Sequence, residues 1–153
     1  MEANWFEAKV KLTRLDEYGR EKKVVETYLV DAVSYTEAEA RMVEEMDVIA
    51  SGDFHITGLK PSRISEVLEP CGIEGGKWFL GFVDIIDTIT PAGKEKRVRK
   101  RILVPGRNID EALDNLRKET DVYLVPAEIA GVRDSAVAAI FIEEQGIRHE
   151  MDS

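Results

Sequence analysis

Residues 4–30, NWFEAKVKLTRLDEYGREKKVVETYLV, return as residues 77–104, KWFLGFVDIIDTITPAGKEKRVRKRILV. Trp5-Phe6 matches Trp78-Phe79, Gly19 matches Gly93, Lys22-Lys23-Val24 matches Lys96-Arg97-Val98, and Leu29-Val30 matches Leu103-Val104. Further along, Glu37-Ala38 matches Glu111-Ala112, Gly58 matches Gly131 and Ser62 matches Ser135, with the offset moving only between 73 and 74. A register held over about 65 residues is a tandem repeat, and a repeat fixes the organisation before any single element is assigned.

Within each copy the periodicity changes in a fixed order. Phe6, Ala8, Val10 and Leu12 alternate with Glu7, Lys9, Lys11 and Thr13, the period-two pattern of a strand with one wet face. Asp16-Glu17-Tyr18-Gly19 is a turn, and a second strand over about 22–31 puts Val24, Tyr28 and Val30 on one side. Ser34-x-x-Glu37 and Asn108-x-x-Glu111 are capping boxes at matching places, with Thr36 competing as the cap in copy one. Tyr35, Ala38, Met42 and Met46 share one face of the helix that follows, as do Ile109, Ala112, Leu113 and Leu116. The carboxylates Glu37, Glu39, Glu44, Glu45 and Asp47 read as a solvated helix face. A third strand falls at about 53–60, and a fourth at Ile64 to Leu68, matched by the apolar Ala136 to Ile142.

The fold expected is therefore α+β: two tandem β-β-α-β-β units, each an antiparallel sheet with one helix on one face, related by a pseudo-twofold. Residues 1–68 form the first repeat, 69–76 the linker EPCGIEGG, 77–142 the second repeat and 143–153 a frayed tail. A repeat of this size has a marginal core, so the two are expected to pack as one unit.

The NWFEAKV opening, the YLVDAVSYTEAEARMVEEM run and the KWFLGFV restart resemble a family of small bacterial proteins, mostly from Bacteroidetes, catalogued as a domain of unknown function. The resemblance covers nearly the whole chain. It implies no activity, cofactor or catalytic residue.

Composition narrows the function classes. The net charge of −9 is uneven, −7 over residues 1–75 and −2 over 76–153, which disfavours non-specific coating of DNA. The single cysteine, Cys71, excludes an intramolecular disulfide and a cysteine metal cluster. No stretch has the roughly 20 apolar residues of a membrane helix, and the start MEANWFEAKVK lacks the apolar run of a signal peptide. A cytoplasmic protein without membrane contact is expected.

Catalysis finds no constellation to rest on. His55 and His149 have no counterparts in the other copy, and no HxH, HExxH or CxxC spacing occurs. Gly72-Ile73-Glu74-Gly75-Gly76 lacks the GK[ST] and helix of a P-loop. Asp84 and Asp87, three apart on a strand, point to opposite faces. No enzyme activity, cofactor or metal is expected.

Two features remain. Six of the eight residues 94–101 are basic: Lys94, Lys96, Arg97, Arg99, Lys100 and Arg101. As a strand they present Arg97, Arg99 and Arg101 on one side. They read as a charge-protected hairpin edge, as ion-pair partners for the acidic first repeat (Glu26 and Lys100 hold matching positions with opposite charge), or as a ribbon along a phosphate backbone. The second feature is the outer row of the fifth strand. Trp78, Leu80, Phe82 and Ile86 stand where copy one has Trp5, Glu7, Lys9 and Thr13. A solvent-facing row of this size is aggregation-prone, so it is expected to be covered by the first copy, by the tail or by a second molecule in a homodimer. The leading expectation is a non-enzymatic interaction module whose target is a protein or itself. The runner-up is a nucleic-acid-binding accessory protein that uses the basic strand.

Overall fold

The computed structural model describes residues 4–68 and 76–142, and the backbone of 147–150. Cys71, most of the linker, and tail residues 143–146 and 151–153 lie outside the described residues. The elements run β1 (Trp5–Leu15), β2 (Glu21–Asp31), α1 (Tyr35–Ile49), β3 (Phe54–Pro61), β4 (Glu66–Val67), β5 (Lys77–Ile89), β6 (Glu95–Gly106), α2 (Ile109–Thr120), β7 (Ala127–Asp134), β8 (Val137–Ile142) and β9 (Ile147–Glu150). The fold is α+β, and each copy reads β-β-α-β-β as its sequence indicates.

The repeat extends to single hydrogen bonds. Gly19 and Gly93 close the two hairpin turns at φ +78° and +83°, a conformation that glycine takes without steric cost. Gly19 N–H donates to the Asp16 carbonyl at 3.0 Å and Gly93 N–H to the Thr90 carbonyl at 2.8 Å. The side chains of Asp16 and Thr90 accept from the backbone N–H of Arg20 and Lys94. Ser34 and Asn108 both cap with extended backbone and accept the N–H of Glu37 and Glu111. The second half of the capping box differs. Glu111 accepts from the backbone of Arg107, one residue before the cap, whereas Glu37 Oε1 is buried with no partner among the described residues.

Sheet membership departs from the repeat boundaries. The described residues divide into two compact units, residues 4–62 with 136–142 and 147–150, and residues 63–68 with 76–135. The first sheet has the order β3-β1-β2-β8-β9, the second β4-β6-β5-β7. The fourth strand of each sequence copy thus sits in the sheet of the other. β8 lies parallel to β2, with Tyr28 opposite Ala139, and β4 lies parallel to β6, with Glu66 opposite Ile102.

Chain geometry explains the exchange. β3 and β2 are both antiparallel to β1 and so run the same way. To lie parallel to its own β2, the fourth strand would first have to return along the eight residues of β3, about 26 Å at ~3.3 Å each. The connection Ser62–Ser65 reaches at most about 18 Å, and parallel pairing within one sheet ordinarily takes a crossover of a dozen or more residues. The strand therefore adds to the other sheet. The tail, expected to fray, instead supplies β9, which pairs antiparallel with β8.

Each unit has its own core. In the first, Ala38, Met42 and Met46 of α1 cover Ala8, Val10, Leu12, Tyr28, Val30 and Phe141. In the second, Ala112 and Leu116 of α2 cover Phe79, Val83, Ile102 and Val104. Gly81 stands where copy one has Ala8, and a Cβ there would come within 2.6 Å of Leu116 Cδ2, so its missing side chain seats the α2 leucine.

Candidate functional site

The candidate site is the face of the second sheet turned away from α2. Register places Leu80, Phe82, Asp84 and Ile86 of β5 opposite Leu103, Arg101, Arg99 and Arg97 of β6. On the other side, Leu80, Phe82 and Asp84 meet Arg133, Gly131 and Glu128 of β7. The β5–β7 pairing shifts between Phe82 and Val83, leaving Ala130 as an extra residue. That bulge brings Glu128 and Arg133, an odd number of residues apart, to the same face. The first sheet has the equivalent shift at Lys9/Val10, with Thr57 as the extra residue.

Phe82 is the centre of the arrangement. The guanidinium carbons of Arg99, Arg101 and Arg133 lie 5.8, 5.6 and 5.3 Å from its ring centroid, each within cation–π range. Leu80, Phe82 and Ile86 are half-buried and Trp78 is buried, while Lys9 and Lys11 in the matching row of β1 are exposed. Arginines of the two neighbouring strands thus lie against the Phe82 ring.

The basic run is partly neutralised in place. Arg99 makes a bidentate pair with Asp84, Nε to Oδ1 at 2.8 Å and Nη2 to Oδ2 at 3.0 Å. This fork holds the Asp84 carboxyl below the usual range and raises the guanidinium. Arg97 bonds Glu128 and Glu95, and the Glu128 bond is the main reason its own value rises. Lys100, on the helix side, is 3.7 Å from Glu66. Glu26 pairs with Arg14. Lys94 ends the hairpin turn and Lys96 is exposed. Among the described residues, neither Arg101 nor Arg133 has a carboxylate at ion-pair distance.

Sequence reasoning singled out Arg97, Arg99, Arg101 and Phe82 but missed Arg133, Glu128 and the role of Asp84. Strict alternation along β7 puts residues 128 and 133 on opposite faces, and only the bulge reverses that. Asp87 is the unpaired residue of a second register shift, between Ile86 and Thr88, and is exposed.

Two open grooves lie elsewhere. One, of about 390 Å³, is lined in part by Ser51, Asp53 and His55 with Lys11 and Lys23. Among the described residues no hydrogen bond links that serine, aspartate and histidine to one another. The other, of about 420 Å³ between α2 and β7, is lined mainly by Ile109, Leu113, Ile129 and Val132. No helix among the described residues is long and apolar enough to cross a membrane.

Fold and face together define an α+β protein built on a tandem repeat, with one sheet face of mixed charge around an aromatic centre. Residues 4–144 match the model of a family described as a domain of unknown function (DUF4494), and the chain belongs to that family. No curated protein and no solved structure matches the chain.

Proposed function

We propose that the protein is a non-enzymatic, cytoplasmic interaction module that binds a protein partner, or a second copy of itself, through the outer face of the second sheet. The observation that carries the reading is the composition of that face. Leu80, Phe82 and Ile86 stay half-exposed there, beside Arg97, Arg99, Arg101 and Arg133 and the carboxylates of Asp84, Glu95 and Glu128. Arginine set around a partly desolvated aromatic is the composition of protein-interface hot spots. Four cations against three anions leave a net of only +1, with the charges fixed in alternation. A phosphate backbone rewards unpaired cations, and such a face offers few. The single cysteine suits a reducing compartment.

The test is capture with tagged wild type, with Phe82→Glu, and with Lys9→Glu as a control at the matching exposed position of β1. Lysate of the source cell, with and without nuclease treatment and supplemented with untagged chain, serves as prey. Proteins held by wild type and Lys9→Glu but lost from Phe82→Glu support the reading, provided the purified protein rebinds. Identical retention by all three overturns it. Retention abolished by nuclease overturns it in favour of nucleic-acid binding by the 94–101 strand.

A further inference from the structure

We propose that Arg101 and Arg133 form a carboxylate-binding site over Phe82, which makes the partner an acidic protein segment. This rests on the interaction-module reading above and names the chemistry that the face selects. The two guanidiniums approach one ring from opposite sides, Arg101 from β6 and Arg133 from β7. Distances of 5.6 and 5.3 Å to a common centroid put them no more than about 11 Å apart. Their neighbours are already engaged, Arg99 by Asp84 and Arg97 by Glu95 and Glu128. Arg101 and Arg133 are the cations of this face whose N–H forks carry no carboxylate of the described chain.

A guanidinium laid on an aromatic ring is held in orientation while its edge N–H groups remain free, the arrangement that suits bidentate acceptance of a planar carboxylate. The site commits to carboxylate rather than phosphate because of what frames it. Asp84 and Glu128 stand opposite each other on the same face, two residues along β5 from Phe82, so a polyanion laid along the strand meets like charge on that side. An acidic side chain approaching the Phe82 centre meets the Arg101 and Arg133 guanidiniums, which carry no carboxylate among the described residues, with Leu80 and Ile86 to take the apolar flank of the segment.

The experiment follows the arginine Nε–H resonances of the full chain by NMR as a blocked hexapeptide carrying one glutamate among neutral residues is added. Parallel arms contain an oligodeoxythymidylate of equal length and inorganic phosphate. Shifts of the Arg101 and Arg133 signals, with affinity falling about ten-fold or more in Arg101→Gln/Arg133→Gln, support the site. Arg101→Lys/Arg133→Lys keeps the charge but removes the forks and is expected to lie between the two, while Lys9→Gln, at the exposed matching position of β1, binds as wild type. Backbone amide spectra confirm that each variant is folded. Shifts confined to Arg97 and Arg99, no shift at all, or tighter binding of the oligonucleotide overturns the proposal. If the peptide fails while capture remains sensitive to Phe82→Glu, this inference falls and the interaction face stands. If capture is also insensitive, both fall.

Discussion

At the scale of single residues, the two copies agree wherever backbone geometry demands a residue type and diverge where packing does. Gly19 and Gly93 match because both turns need positive φ, and Ser34 and Asn108 match because both caps need a side-chain acceptor. These positions were legible from sequence. Gly106 was not, since copy one has Ala32 there. A Cβ at Gly106 would meet the Ala112 nitrogen at 2.7 Å and the Asn108 carbonyl oxygen at 3.0 Å, both backbone atoms. Gly106→Ala must therefore push α2 off the sheet, and overpacking of this kind costs about 1–3 kcal/mol. At Gly131 a Cβ meets nothing within 4 Å, and Gly131→Ala should be neutral or slightly stabilising. Urea midpoints of the two variants check the contrast, and equal shifts would contradict it.

At the scale of elements, β4 shows what its sequence left out. Ile64 to Leu68 reads as a strand in isolation, but nothing in it says which sheet receives it. Its counterpart β8 is flanked by β2 on one side and β9 on the other and is nearly all apolar, whereas β4 is an edge and carries Glu66. Glu66 faces Lys100 of β6, Glu119 in the last turn of α2, and Tyr123 just beyond it. Lys100 Nζ also lies 5.3 Å from the centroid of the Tyr123 ring. Burial, then the hydrogen bond and charge of Glu66, push the Glu119 carboxyl above its usual value, with Lys100 opposing. A carboxyl raised in the folded state favours folding at low pH and loses that contribution as pH rises through the raised value. Asp16, Asp84 and Glu111 are lowered by their hydrogen bonds and act in the opposite sense, losing their contribution as pH falls below the ordinary range. Stability should therefore peak on the mildly acidic side. Glu119→Gln should flatten the decline above the ordinary 4.5, and an unchanged slope in pH-dependent urea midpoints would contradict this.

The same sign applies to two phenols. Tyr28, buried on Phe141 and bonded to Arg14 and Glu26, is pushed up to about 12, mainly by burial, and so is Tyr123. Their contribution holds below the ordinary phenol value of 10 and is lost as pH climbs from there toward 12. In a spectrophotometric titration, the phenolate absorbance missing from Tyr28→Phe should be that appearing near 12; a loss centred near 10 would contradict the buried assignment.

At the scale of the whole molecule, the repeat gave the element order of both copies, and binary patterning gave both helix faces. What neither carried was strand exchange, because a parallel partner for β2 is recognised only once β3 is known to run the same way and the four-residue connection is seen to be too short for a return. The outer face was half legible for a similar reason: alternation placed Phe82 and the arginines of β6, but the bulge at Ala130 hid Arg133 and Glu128. The central claim is that each sheet is completed by the other copy's strand, and it is tested most directly by Ala139→Asp. Ala139 is 4% exposed in the first core, opposite Tyr28 on β2, yet lies in the second sequence copy. An unpaired carboxylate buried there is strongly destabilising. Hydrogen exchange of the variant, read by mass spectrometry, should show protection lost over β1, β2, α1 and β3 and retained over β5, β6, α2 and β7. Loss confined to residues 77–134, with β2 and α1 still protected, would contradict the exchange.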